Sequence, residues 1–398
     1  MPVQTIHPLR LATGGLIALA AAMGIGRFSY TPILPAMAAD LALTQAQAGL
    51  LASANLLGYL VGALAAALPA LRGSPRLWFL ASLAASAVST ILMAAAGDVA
   101  TFLLLRFVGG VASAFVLVFA SSVILDRLAA MGRPTLSCLH FAGIGAGIVL
   151  SALLVNAAGA LGADWRGDWL VVGLTALVAT PVVGVLVPPD ARSSAPAAER
   201  GALRLGRPLV ALLAAYFLFG LGYVTTATFL VTIIRGMPDL RSAESAIWLV
   251  VGLSAMPSVA LWTGLSRRIG VVPTLSLAFV AEAAGVVGSV VSGSVGGAVV
   301  AAALLGGTFV PITALGIMAA RSLAGTRRRQ VVALMTSSFG LGSIIAPTIA
   351  GAIADLTSSF ALPSFLAAGA LTLAALLSLA AEPRRSCGDR ILPQASGA

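Results

Sequence analysis

Lysine is absent from this 398-residue chain, and charge of either sign is scarce, with Asp, Glu, Lys and Arg making up 9% of the residues. A soluble domain carries about 25%, so an ordinary water-facing surface is excluded. Acidic residues are the scarcer kind: 13 against 23 basic ones, all arginines. Cysteine occurs only at Cys138 and Cys387, which supports neither a disulfide framework nor a metal site. No Walker loop is present, so nothing points to ATP hydrolysis. An intramembrane enzyme would need a His-Glu-x-x-His pair, a Gly-x-Ser-x-Gly elbow or paired carboxylates, and none occurs. The expectation is a protein that is not an enzyme and carries no cofactor.

What is present is apolar. Hydrophobic residues are 59% of the chain and the mean hydropathy is +1.05. A helical membrane span needs about 20 apolar residues. Twelve candidates can be marked, at 11–39, 44–68, 76–97, 99–125, 134–161, 168–187, 208–235, 243–264, 272–293, 296–320, 330–354 and 361–381. The runs are long and do not alternate, which excludes a β-barrel. Spans 9 and 10 are parted only by a tight turn around Ser292-Gly-Ser294. The first apolar stretch is too long for a cleaved signal peptide.

The net charge of +10 is no nucleic-acid signal. If the amino terminus is cytoplasmic, eighteen arginines fall on the inner side, from Arg10 through Arg390, and only Arg166, Arg235 and Arg241 on the outer. Arg27 and Arg106 lie within spans. This is the positive-inside bias. It predicts a multi-pass protein of the cytoplasmic (inner) membrane with both termini cytoplasmic.

The chain also repeats itself. Gly24-Ile-Gly-Arg-Phe-Ser-Tyr-Thr31 returns as Gly220-Leu-Gly-Tyr-Val-Thr-Thr-Ala227, 196 residues later. Arg106-Phe-Val-Gly-Gly110 aligns with Ala303-Leu-Leu-Gly-Gly307, and Gly143-Ile-Gly145 with Gly340-Leu-Gly342, both 197 residues later. One half is written twice, and duplicated span sets build a central site between two halves. The expected organisation is a six-helix bundle over 1–187, a polar cytoplasmic linker over 188–207, a second bundle over 208–382 and a cytoplasmic tail over 383–398. The fold class is an all-α membrane protein of twelve transmembrane helices in two pseudo-symmetric bundles.

Local motifs give this architecture a family likeness. Arg106-Phe-Val-Gly-Gly110 resembles the Arg-x-x-x-Gly element of the major facilitator superfamily. Leu265-Ser-Arg-Arg-Ile-Gly270 resembles its Leu-x-Asp-Arg-x-Gly loop, with Arg267 where Asp is usual. The equivalent Pro69-Ala-Leu-Arg-Gly73 departs further, and span 5 has Ile148 where exporters of this superfamily carry proline. Met23 to Pro35, followed by His140-Phe-Ala-Gly143, is similar to the YbfB/YjiJ-like branch. The resemblance implies alternating access with spans 1, 4, 7 and 10 lining a cavity. It implies no particular substrate.

Within that frame Arg27 stands out. It lies about 16 residues into span 1, ~24 Å from the inner end at 1.5 Å per residue. A guanidinium at that depth must face the protein interior or a wet cavity. Either it binds a substrate anion or it is tied to carbonyls and tyrosines. Gly24, Arg27, Tyr30 and Thr31 share a helical face, and Tyr223 takes the place of Arg27 in the second half. Arg106, in span 4, is the second candidate: either a cavity cation for substrate or proton coupling, or a helix-packing residue that reaches the outer surface. Asn55 and Tyr59, four residues apart in span 2, reach either the cavity or span 11.

His140, in span 5, and Glu282, in span 9, are the candidates for proton coupling, each with a packing role as the alternative; a carboxylate cannot sit ionised against lipid. No carboxylate lies in spans 1, 4, 7 or 10 at similar depth, which favours an anionic or polar uncharged substrate. The chain is expected to be a monomeric secondary transporter of a small organic solute, with lipid and, as an option, protons as its other partners, and no nucleic acid. The alternative is a transporter-like receptor or scaffold without flux.

Overall fold

The computed structural model describes residues 7–68, 73–189, 205–324 and 327–381, with residues 241, 242, 328 and 329 described in backbone only. Among them are twelve helices long and apolar enough to cross a membrane: α1 (Pro8–Asp40), α2 (Gln45–Ala66), α3 (Pro75–Leu92), α4 (Val99–Ala130), α5 (Pro134–Ala160), α6 (Trp165–Leu186), α7 (Arg207–Arg235), α8 (Glu244–Ile269), α9 (Val271–Val291), α10 (Val295–Leu323), α11 (Gln330–Thr357) and α12 (Ala361–Leu379). The expected linker is described only at its two ends, and the expected tail lies outside the described residues. An even number of crossings returns the chain to its starting side. That side is called here the terminal face, and the opposite one the far face.

The ends of the helices follow from capping chemistry. Asp98 opens α4 by accepting from the Thr101 N–H at 2.9 Å, and Ser294, 196 residues on, opens α10 by accepting from the Gly297 N–H. A side-chain oxygen there satisfies an N–H that the helix itself leaves unpaired. Asp164 opens α6 in the same way, so this helix starts three residues earlier than its apolar run suggested. Conversely α3 ends at Leu92, short of the expected 97, because Met93–Ala95 close in turns. One residue, Gly270, joins α8 to α9 with φ at +92°, a conformation costly to any residue with a Cβ.

α4 continues about one turn past the expected boundary, through Asp126 and Arg127. The charge that marked the end of the apolar run is accommodated, because Arg127 is buried and donates to the Pro188 carbonyl at 2.9 Å. Arg10 donates to Val185, and Arg76 to Val187 and Gly184. Three arginines from three helices therefore meet the carbonyls at the C-terminal end of α6. That end carries unpaired acceptors and the negative pole of the helix dipole. It ties α1, α3 and α4 to α6 at the terminal face.

Packing repeats as the sequence does. α1 packs on α5, α2 on α4, and α3 on α4 and α6; in the second half α7 packs on α11, α8 on α10, and α9 on α10 and α12. In space Gly110 corresponds to Gly306, a shift of 196, so the 197-residue pairing of Arg106–Gly110 with Ala303–Gly307 is corrected by one residue. A Cβ on Gly110 would collide with the Asn55 carbonyl of α2, and one on Gly306 with the Val251 carbonyl of α8. Such glycines let helix backbones approach closely in lipid. The halves meet along α2–α11, α5–α8 and α1–α7.

Candidate functional site

The site begins with a break in α1. Residues 20–25 form a π-helical stretch, 26–29 are turns, and α-helix resumes at Tyr30. The N–H groups of Gly26 and Phe28 reach five residues back, to Ala21 and Met23, while Thr31 reaches only three back, to Phe28. Pro32 has no N–H to offer the Phe28 carbonyl, and Pro35 none to offer that of Thr31, so the ladder cannot run regularly through this stretch. Glycines make room for the widened turn: Gly24 sits against Gly147 of α5 and Gly26 beside Ser86 of α3. The expectation of one regular face carrying Gly24, Arg27, Tyr30 and Thr31 is therefore corrected. The irregular turns, rather than a 3.6-residue period, bring Arg27, Phe28, Tyr30 and Thr31 to one cavity, and Gly24 faces α5 instead.

That cavity, about 30 Å³, lies where α1, α2 and α4 meet α7. It is lined by Arg27, Phe28, Tyr30, Thr31, Ala52, Asn55, Leu56, Arg106, Tyr223, Val224, Ala227 and Thr228. Six of the seven expected cavity residues are among them. The seventh, Tyr59, stands behind Arg27, whose guanidinium lies 4.5 Å from its ring centroid. Arg106 sits likewise 4.5 Å from the centroid of Tyr30. Both arginines are buried, at 8% and 5% exposed, and no Asp or Glu lines the cavity. Cation–π contact with an aromatic face stabilises a desolvated guanidinium without supplying an anion.

Three of the polar lining side chains are held by backbone. Asn55 donates to the Arg106 carbonyl at 2.9 Å, and Tyr30 to the Ala48 carbonyl at 2.7 Å. Thr31 donates to the Ala227 carbonyl at 2.7 Å. Thr31 and Ala227 are repeat-equivalent, 196 residues apart, so the two copies touch at corresponding positions. Buried atoms without a partner remain: Arg106 Nε and Asn55 Oδ1. The two halves contribute opposite chemistry. Arg27, Asn55 and Arg106 stand on the first half, and 196 residues on their places are held by Tyr223, Val251 and Ala302. Behind Tyr223 the second half stacks rings: Phe309 lies 5.2 Å away and nearly parallel, with Phe219 and Phe339 alongside.

His140 and Glu282 are elsewhere. His140 is sealed between α5, α4 and α1, with Nε2 3.3 Å from the Ser121 hydroxyl and its ring against Gly15. Glu282 is fully buried in α9. Neither lines the cavity. Sequence reasoning did not single out Phe28 or the α7 positions Val224, Ala227 and Thr228. The repeat register, which puts Ala227 opposite Thr31, was the available signal.

Two six-helix bundles with a polar cavity between them define a membrane transporter of the major facilitator type. Structures of this kind match the chain over nearly its full length. A mutant form of the nucleoside transporter NupG aligns with a TM-score of 0.72 at 14% identity, covering 94% of this chain and all of that one. A bacterial homologue of the human lysosomal transporter Spinster, in an inward-facing and occupied conformation, aligns at 0.68 and 15% identity, covering 94% and 96%. At such identities the likeness is one of fold. Residues 19–379 match the model of the family described as Uncharacterised MFS-type transporter YbfB, and the chain belongs to that family. A curated relative, the Uncharacterized MFS-type transporter YceJ of Bacillus subtilis (strain 168), is 28% identical over 268 residues, which cover 64% of this chain and 66% of the relative's length, just under two thirds.

Proposed function

We propose that the protein is a secondary transporter that carries a small organic anion across the cytoplasmic (inner) membrane by alternating access between its halves, and that it works as a monomer. The observation that carries this reading is the pair Arg27 and Arg106, buried at mid-bundle on a cavity whose lining holds no carboxylate. A cation in the low-dielectric interior of a membrane protein is expensive and calls for a partner. Aromatic faces meet part of that need, and a substrate carboxylate entering the cavity would meet the rest. A guanidinium resting on an aromatic ring can turn in-plane N–H groups toward a carboxylate in two parallel hydrogen bonds.

Hydrogen bonds between the halves support the reading of two access states. Thr31 to Ala227, Gln45 and Ala46 to Asp355, Ser53 to Thr348 and Asn156 to Ser245 all lie between mid-depth and the far face. The arrangement fits a state sealed at the far face. The arginine asymmetry assigns the terminal face, with both termini and the 188–207 linker, to the cytoplasm. His140 and Glu282 are not assigned to substrate contact; a proton-coupled cycle using either must link it to the cavity by helix movement.

Flux into proteoliposomes tests the proposal, with expression and melting temperature measured on the same samples. Arg27→Ala should remain folded and lose transport of anionic substrates. Arg27→Lys should recover only part of it, because an ammonium lacks the planar fork. A folded Arg27→Ala protein with normal flux overturns the anion site. An absence of flux for every solute in a broad metabolite panel would favour a receptor or scaffold.

A further inference from the structure

We infer, resting on the anion reading above, that the substrate is a small aromatic carboxylate, its acid group held by Arg27 and Arg106 and its ring laid against Tyr223 and Phe28. The inference starts from the asymmetry of the two copies. All cationic lining comes from α1 and α4 in the first half, and the facing wall on α7 opens with Tyr223, the residue that replaces Arg27 in the repeat. At about 30 Å³ the cavity holds no ring in this state, so a ligand that enters as the halves part and bridges these walls needs a negative end and an end suited to an aromatic face.

The aromatic wall is organised and stiff. Tyr223 and Phe309 are parallel to within 6° at 5.2 Å. Phe28, which also lines the cavity, packs edge-on against the same Phe309 at 5.8 Å and lies tilted beside Trp248 at 6.5 Å. Phe219 and Phe339 extend the row behind Tyr223. Rings so held offer fixed faces and edges, and aromatic pairs prefer such offset or edge geometries over undirected apolar contact. A flat ring gains from that order. A saturated group of equal size would gain only its area.

The cationic wall argues the same way. Each guanidinium already rests on an aromatic face, Arg27 on Tyr59 and Arg106 on Tyr30. Neither has to abandon a carboxylate of the cavity lining to receive the ligand's acid group. The buried, unpartnered Arg106 Nε and Asn55 Oδ1 offer a further donor and an acceptor. An acceptor beside the acid group suits a ligand that also carries a hydroxyl or amine.

The experiment compares matched ligands on the purified full-length protein. Phenylacetate and indole-3-acetate carry ring and acid, cyclohexylacetate keeps the acid and loses the aromaticity, and 2-phenylethanol keeps the ring and loses the charge. Binding is measured by calorimetry in detergent. At least one aromatic acid should bind about 3- to 10-fold more tightly than cyclohexylacetate, the range expected for an aromatic pair beyond its buried area. The alcohol should bind more weakly than either. Tyr223→Leu should erase the preference for the aromatic acid while still binding cyclohexylacetate. If that variant fails to fold, the unmodified protein's own ranking decides. Equal or tighter binding of cyclohexylacetate overturns the aromatic inference and leaves the anion reading standing. An alcohol that binds as well as the acids defeats both. Binding of none of the acids overturns the inference, and Arg27→Ala flux then judges the anion reading alone.

Discussion

At the scale of single residues, several of the described arginines are met by backbone carbonyls or by rings. Arg10, Arg76 and Arg127 bond carbonyls at the end of α6, and Arg166 bonds the Ala94 and Ala96 carbonyls at the end of α3. Arg27 and Arg106 rest on tyrosines. An ion pair does form between Arg235 and Glu244 beside the α7–α8 turn. With 13 acidic residues against 23 arginines, pairing could not have sufficed. Asp98 illustrates a solvent-facing carboxylate with a defined task. Hydrogen bonds from the Thr101 side chain and backbone hold its carboxyl below the usual 3.8. A depressed value in the folded state means the stabilisation is present above about pH 4 and is lost as pH falls below it. Asp98→Ala should lower the melting temperature at neutral pH and flatten its decline in acid. Asp98→Asn, also a good N-cap, should stay near the parent at neutral pH. Thermal unfolding of the three proteins between pH 3 and 7 checks this; superimposed curves would remove Asp98 from the account of α4.

At the scale of helices, glycine placement decides how near two backbones come. Gly306 and Gly307 are neighbours in α10 with opposite surroundings. A Cβ on Gly306 would run into the Val251 backbone, whereas one on Gly307 meets nothing within 4 Å. Gly306→Ala should therefore force α8 and α10 apart at a cost of about 1–3 kcal/mol, the usual penalty of overpacking. Gly307→Ala should be neutral or slightly stabilising, because alanine is the better helix former. Melting temperatures of the two variants in one detergent decide the matter, and an equal loss for both would contradict the packing described. The same logic makes the Arg-x-x-x-Gly likeness in α4 two features in one: Arg106 serves the cavity lining and Gly110 serves the α2 contact.

At the scale of the whole molecule, Asp355 joins the two halves at the far face. From α11 its two carboxylate oxygens accept from the Gln45 and Ala46 N–H groups, each at 2.8 Å. A carboxylate at a helix N-terminus is held by unpaired donors and by the dipole together, and here the bond crosses between the halves. Asp355 also borders a depression of about 500 Å³ at the far face. Asp355→Ala should weaken the far-face seal, so that a cysteine at Thr228 reacts faster with a membrane-impermeant thiol reagent applied from outside. An unchanged rate would show the seal to rest on other contacts. Orientation itself is tested by placing single cysteines at Ser194 and Ser292 after replacing Cys138 and Cys387. Ser194, outside the described residues, should label only from the cytoplasm and Ser292 only from outside; the reverse pattern overturns the topology.

The sequence alone determined the class, the number of spans, the repeat and half of the cavity lining. These properties are written in composition and spacing: apolar runs long enough to cross a bilayer, arginines on alternate loops, glycines recurring at 196 or 197 residues, and two arginines where charge is costly. Tertiary structure decided three things that no periodicity carries. The irregular turns of α1 arise where glycine packing against α5 and α3 coincides with prolines that remove N–H donors. The separation of His140 and Glu282 from the cavity depends on which face of α5 and α9 is turned inward, and span positions do not set that. The aromatic wall joins residues from α1, α7, α8, α10 and α11 that are distant in the chain, and only the packing of the helices brings their rings together.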